Sequence, residues 1–162
     1  MKKLPESTAM ATSCLLTHGM RELRREIPNI SGITPPPPFD VSSFAPPGVS
    51  IVNNMMMARF HRGPSALTYS WFYQQVRRHG PWDYKQRGKG FESFGNFHYG
   101  AVGHAAGISD EVLLRGAGWA QSQAGTSDPA FGDWYGSTPY GDDPDDQYWI
   151  RAGIDYAKRA GF

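Results

Sequence analysis

The sequence predicts a mainly α fold, a compact single domain of about four helices with a glycine- and aromatic-rich loop or small hairpin; that loop keeps an α+β variant open. Three observations carry this expectation. Helix start and stop signals recur from residue 49 onward, no internal repeat is visible, and one stretch rich in glycine and aromatics shows no plain helical period.

Taken in order, Asn53–Arg59 (NNMMMAR) reads as a short helix ended by Gly63-Pro64. Ser65 is placed to cap a helix through Arg78, with Leu67, Trp71, Phe72 and Val76 facing inward and His79-Gly80-Pro81 stopping it. From Trp82 to Gly107, phenylalanines and tyrosines stand between glycines, which predicts loops or a short hairpin. Ser109 then caps a third helix running to about Ala124, with Ile108 and Leu113 as a hydrophobic staple. Gly116, Ala117, Gly118 and Ala120 on that helix permit a close neighbour. A long loop, Gly125–Gly141, leads to Asp143 as cap and Pro144 as first residue of the last helix, which extends to about Arg159. Its inward face carries Ile150, Gly153, Ile154 and Ala157.

Residues 1–48 differ in texture. A short helix around Thr17–Ile27 precedes four consecutive prolines, Pro35–Pro38, which favour an extended polyproline II spacer. We read 1–48 as a delivery or linker segment, or a strap packing on the domain, and 49–162 as the catalytic domain.

The bulk numbers exclude several classes. A net charge of +1 argues against a globally basic nucleic-acid binder. One cysteine, Cys14, excludes a disulfide framework within the chain, and no apolar run is long enough to span a membrane. The first 20 residues carry Lys2 and Lys3 but break their apolar run at Pro5, Glu6, Ser7, Thr12 and Ser13, so export is expected by a route other than Sec. There is no HExxH, CxxC, P-loop or GxSxG motif, and no metal or cofactor is expected.

The chemistry-bearing residues gather in two places. Trp82, Asp83, Tyr84 and Lys85 are followed by Glu92, Asn96, His98, Tyr99 and His104, among six glycines from Gly88 to Gly107. Carboxylate, amide, imidazole and phenol groups on a glycine-rich stretch suit general acid–base work. The second place is Gly141-Asp142-Asp143-Pro144-Asp145-Asp146, where helix capping accounts for Asp143 and Asp146 and leaves Asp142 unexplained. Charge is polarised: seven bases against Asp83 alone between Arg59 and Lys89, and six aspartates with no lysine or arginine from Gly116 to Ile150.

The order Gly80-Pro81-Trp82-Asp83-Tyr84-Lys85, Phe94-Gly95-Asn96-Phe97-His98-Tyr99-Gly100, Leu114-Arg115-Gly116-Ala117-Gly118 with Gln121, and Tyr140-Gly141-Asp142-Asp143-Pro144 with Asp146 resembles the polymorphic toxin type 44 domain. The resemblance implies an antibacterial effector delivered by type VI or related secretion systems on a carrier and neutralised by a cognate immunity protein. It places polar family positions at Asp83, Lys85, Asn96, Tyr99, Arg115, Gln121, Asp142 and Asp146.

Two mechanisms follow. In a peptidoglycan hydrolase of lysozyme-like logic acting in the target periplasm, Glu92 donates the proton. Asp142 or Asp83 is then the second carboxylate, while Trp82, Lys85, Asn96, Arg115 and Gln121 hold substrate. In a metal-independent ribonuclease acting in the cytoplasm, His98 or His79 is the base, Lys85 and Arg115 neutralise phosphate, and Tyr99 orients it.

Overall fold

The computed structural model describes residues 40–162. The expectations for Cys14, Thr17–Ile27 and Pro35–Pro38 lie outside the described residues. Five α-helices, and no strand, occur among those residues: α1 (Ile51–Phe60), α2 (Ala66–Val76), α3 (Glu92–Ala105), α4 (Asp110–Ala124) and α5 (Pro144–Arg159). Short 3-10 turns lie at Val41–Ser43, Tyr84–Arg87, Lys89–Phe91 and Pro129–Phe131. The mainly α class stands.

The main correction falls on 92–105, expected as loop or hairpin, which is the central helix α3. Phe94, Phe97, His98, Ala101, Val102 and Ala105 are all buried and recur at three- and four-residue steps, the period of one helical face. The interspersed glycines disguise that period. Each costs roughly 1 kcal/mol against alanine in a helix, and tertiary packing offsets the loss. A Cβ on Gly100 would stand 2.1 Å from the Ile150 carbonyl oxygen, and one on Gly153 would stand 1.8 Å from that of Phe97. The α3 and α5 backbones therefore touch, an approach that any larger residue forbids.

The other helices follow local signals. Ser50 caps α1 by accepting from Asn53 N–H at 3.3 Å, and Ile51, Met55 and Ala58 form its buried stripe. In α2 the buried positions are Thr68 and Phe72, whereas Leu67, expected inside, is 78% exposed because it sits beside that stripe. The helix also ends earlier than expected: Arg77 is already extended, and His79 adopts a φ of 62° while its N–H bonds the Asp83 carboxylate at 2.7 Å. Ser109 caps α4, and the staple residues Ile108 and Leu113 are both buried. Asp143 caps α5 through the Asp145 N–H at 2.8 Å, with Pro144 at its first turn. Ile150, Gly153, Ile154 and Ala157 are buried as the α5 pattern predicts.

Packing begins ahead of Val49. The Phe44 ring meets Phe94, Phe97 and Trp149 at centroid distances of 5.4–5.7 Å, so the stretch just before α1 contributes to the core.

Candidate functional site

The site is built where the first turn of α5 meets α3, α4 and the turn holding Lys85. Asp143 caps α5, which releases Asp146 for other partners. Asp146 accepts from Lys85 Nζ at 2.9 Å and from Asn96 Nδ2 at 2.5 Å. Gly95 makes this possible, because a Cβ there would fall 2.7 Å from Lys85 Cγ. The lysine stem crosses α3 over the glycine to reach the carboxylate. Asp146 is thus anchored by one cation and one amide, with its side chain still 26% exposed.

Asp142, just outside α5, is 2% exposed. It accepts from Gln147 Nε2 at 2.7 Å, and the same amide bonds the Leu114 carbonyl of α4 at 3.1 Å. Gln121 donates to it as well, its own carbonyl being engaged by the Thr126 hydroxyl. Burial raises the Asp142 pKa above the ordinary 3.8, and the charge of Asp146 pushes in the same direction; the two amides and Lys85 oppose them. Desolvation and the like charge prevail, so Asp142 holds its proton more tightly than a free aspartic acid. Gln147 Oε1 is buried without a hydrogen-bond partner among the described residues, leaving an acceptor beside this carboxyl.

Tyr99 closes the inner wall. Its hydroxyl donates to the Leu113 carbonyl at 3.0 Å, and burial together with the nearby Asp142 charge raises its pKa well above 10.0. It positions α4 against α3 as a neutral phenol. Arg115 buttresses the outer wall: Nη1 donates to the carbonyls of Trp134 and Gly136 at 3.1 and 3.0 Å, Nε pairs with Glu111 at 2.9 Å, and the guanidinium lies 4.5 Å from the Tyr140 ring centroid. A Cβ on Gly118 would stand 1.7 Å from the Tyr140 carbonyl oxygen, so residues 131–141 lie directly on α4 and carry the chain into Asp142.

Lys85, Asn96, Tyr99, Gln121 and Asp142 therefore converge, with Arg115 bracing the rim. Other residues expected at the site stand elsewhere. Glu92 is exposed in the first turn of α3, where it complements the helix dipole. Asp83 serves the turn after α2 by bonding His79 N–H. Trp82 is 8% exposed and packs edge-on against Trp71 and His98. His98 is 1% exposed among Trp82, Tyr84 and Phe94, with Asn54 Nδ2 2.9 Å from its Nε2; burial pushes its pKa down to about 3. His104 is half-buried near the end of α3, 3.4 Å from Asp110. Asp146 enters from the sequence through the family resemblance alone and is otherwise explained by capping, and Gln147 is not singled out there. The four-residue spacing of Asp142 and Asp146 across a helix start was the signal available for the first.

Residues 88–159 match the model of the bacterial toxin 44 family, which upholds the resemblance over α3, α4 and α5 and with it the coarse identification of a bacterial toxin domain. The family implies a cognate immunity protein and delivery into target cells. No curated protein and no solved structure matches the chain. No described helix is long and apolar enough to cross a membrane.

Proposed function

We propose that this toxin domain is a peptidoglycan hydrolase that cleaves glycan strands, with Asp142 as general acid and Asp146 as the ionised carboxylate. One observation carries the reading: of two neighbouring carboxyl groups, Asp142 is buried with a raised pKa, while Asp146 is held by Lys85 and Asn96. A proton-holding carboxyl beside a cation-paired one is the arrangement in which two like residues divide acid and carboxylate roles. Asp142 gives its proton to the glycosidic oxygen as the bond to the anomeric carbon breaks. Asp146 stabilises the positive charge that develops there or orients the water that attacks it. That water's other proton restores Asp142. Gln147 and Gln121 hold the acid in place, and Gln147 Oε1 accepts from a substrate hydroxyl.

Asp142 is too enclosed for a sugar to reach unless residues 131–141, which lie over α4 and lead into it, shift outward on binding. The acid role moves here from Glu92 because Glu92 stands exposed in the first turn of α3, whereas Asp142 is buried and holds its proton more tightly than a free aspartic acid. His98, sealed among aromatic rings, is unsuited to act as a ribonuclease base.

Export decides between compartments. Expressed with an added periplasmic signal, the full chain is expected to cause rounding and lysis, and expressed in the cytoplasm it is expected to be tolerated. Cytoplasmic killing with loss of RNA overturns the reading in favour of a nuclease.

A further inference from the structure

On the outer face of α4, a groove of about 280 Å³ is lined by Val112, Arg115, Gly116, Trp119 and Trp134. Both indoles are open to solvent, Trp119 at 39% and Trp134 at 41% exposure. Each is backed by another ring: Tyr73 lies 6.5 Å from Trp119, and Tyr135 meets Trp134 edge-on at 5.6 Å. The groove is braced from behind, because Arg115 ties the carbonyls of Trp134 and Gly136 to α4. Exposed, supported aromatic rings on a fixed frame form a binding surface at small entropic cost.

We infer that this groove is a binding subsite for an uncharged N-acetylated glycan, with sugar rings stacked on Trp119 and Trp134. The inference rests on the hydrolase reading and adds the substrate contacts outside the acid pair. Charge selects the occupant. Arg115, the cation of the groove, is already paired with Glu111 at 2.9 Å, and the chain from Gly116 to Ile150 carries six aspartates and no lysine or arginine. A polyanion such as RNA stacks on aromatics only where cations neutralise its phosphates, and the groove's lining supplies Arg115 alone, already paired with Glu111. A neutral sugar meets no such barrier. Continuity supplies the second reason. Trp134 belongs to the segment that passes over Gly118 and into Gly141 and Asp142, and a Cβ on Gly141 would stand 3.0 Å from the Trp134 amide nitrogen. A strand stacked on Trp134 therefore presses on the segment that encloses Asp142.

The test uses the full chain carrying D142N, titrated with tri-N-acetylchitotriose and, separately, with single-stranded oligouridine, read by tryptophan fluorescence. The trisaccharide is expected to bind. Adding Trp119→Ala or Trp134→Ala should weaken it about tenfold, and Trp119→Phe should recover most of the loss. Circular dichroism confirms that each variant is folded. No binding of the trisaccharide, binding indifferent to both tryptophans, or binding of oligouridine in its place overturns the inference. Failure of the underlying reading is separable. If the trisaccharide binds through the tryptophans while the unsubstituted protein leaves sacculi intact, the subsite stands and the hydrolase falls. If sacculi are cut with an unchanged KM in W119A, the subsite falls and the hydrolase stands.

Discussion

His98 and Asp142 are both nearly sealed from solvent, at 1% and 2% exposure, yet their surroundings differ in kind. His98 faces three aromatic rings and one amide, and no charged group lies among them. Asp142 faces two amides, a second carboxylate and, beyond it, a lysine. In the first region burial simply removes a charge, leaving a neutral ring as a filler of the core. In the second, burial sets one carboxyl against another, so that one holds its proton while its neighbour is tied to a cation. The difference between a polar residue that serves packing and one suited to chemistry is therefore the company it keeps, not its depth.

Breaking each region in turn should give opposite phenotypes. Asp146→Asn keeps the shape and the Asn96 contact but removes the charge, and is expected to lower kcat by about 10²–10³ with little change in melting temperature. A kcat within a fewfold of the parent removes Asp146 from the chemistry. His98→Ala leaves a cavity and removes one of the two partners of the Asn54 amide, which keeps the Tyr84 hydroxyl at 2.8 Å, at a cost of about 2–4 kcal/mol by urea unfolding. Activity per folded molecule should be unchanged, and a specific loss of activity would contradict the structural role given to His98.

Acidity sharpens the contrast. His98 has a folded pKa near 3 against an ordinary 6.5, so its contribution to stability is complete above 6.5 and is lost as pH falls from there. Asp142 runs the other way: its folded pKa is raised, so its contribution is complete below 3.8 and is lost as pH rises through the folded value. Each proton is worth about 1.4 kcal/mol per pH unit in its window. Urea midpoints across this range should fall less steeply toward acid in H98Q and more steeply in D142N. Parallel curves for all three proteins contradict the assignment. The smallest effect is expected for Glu92→Gln, less than about twofold in rate and within about 0.5 kcal/mol in stability, as for other exposed positions. A large loss in E92Q returns the acid role to Glu92.

Where capping chemistry was local, the fold was legible: Ser109 with its staple and the Asp143-Pro144 pair place α4 and α5 within a residue of the structure. The central helix was not, because Gly95, Gly100 and Gly103 read as breakers when taken singly. Their use appears only against Lys85, Ile150 and Leu113, which stand on other elements of the fold. The site was partly legible for the same reason. Asp142 stood out because capping did not explain it. Asp146 reads locally as a capping residue and comes to the site through the family resemblance alone, because its partners lie 61 and 50 residues away in sequence.

The most direct test of the acid–carboxylate pair is the release of reducing ends from purified sacculi by the full chain and by D142N, compared at matched folded concentration. Steady release by the unsubstituted protein and a loss of about 10²–10⁴ in D142N, restricted to sugar-linkage cleavage, is the predicted result. Equal release by both proteins, or no release by either, contradicts it.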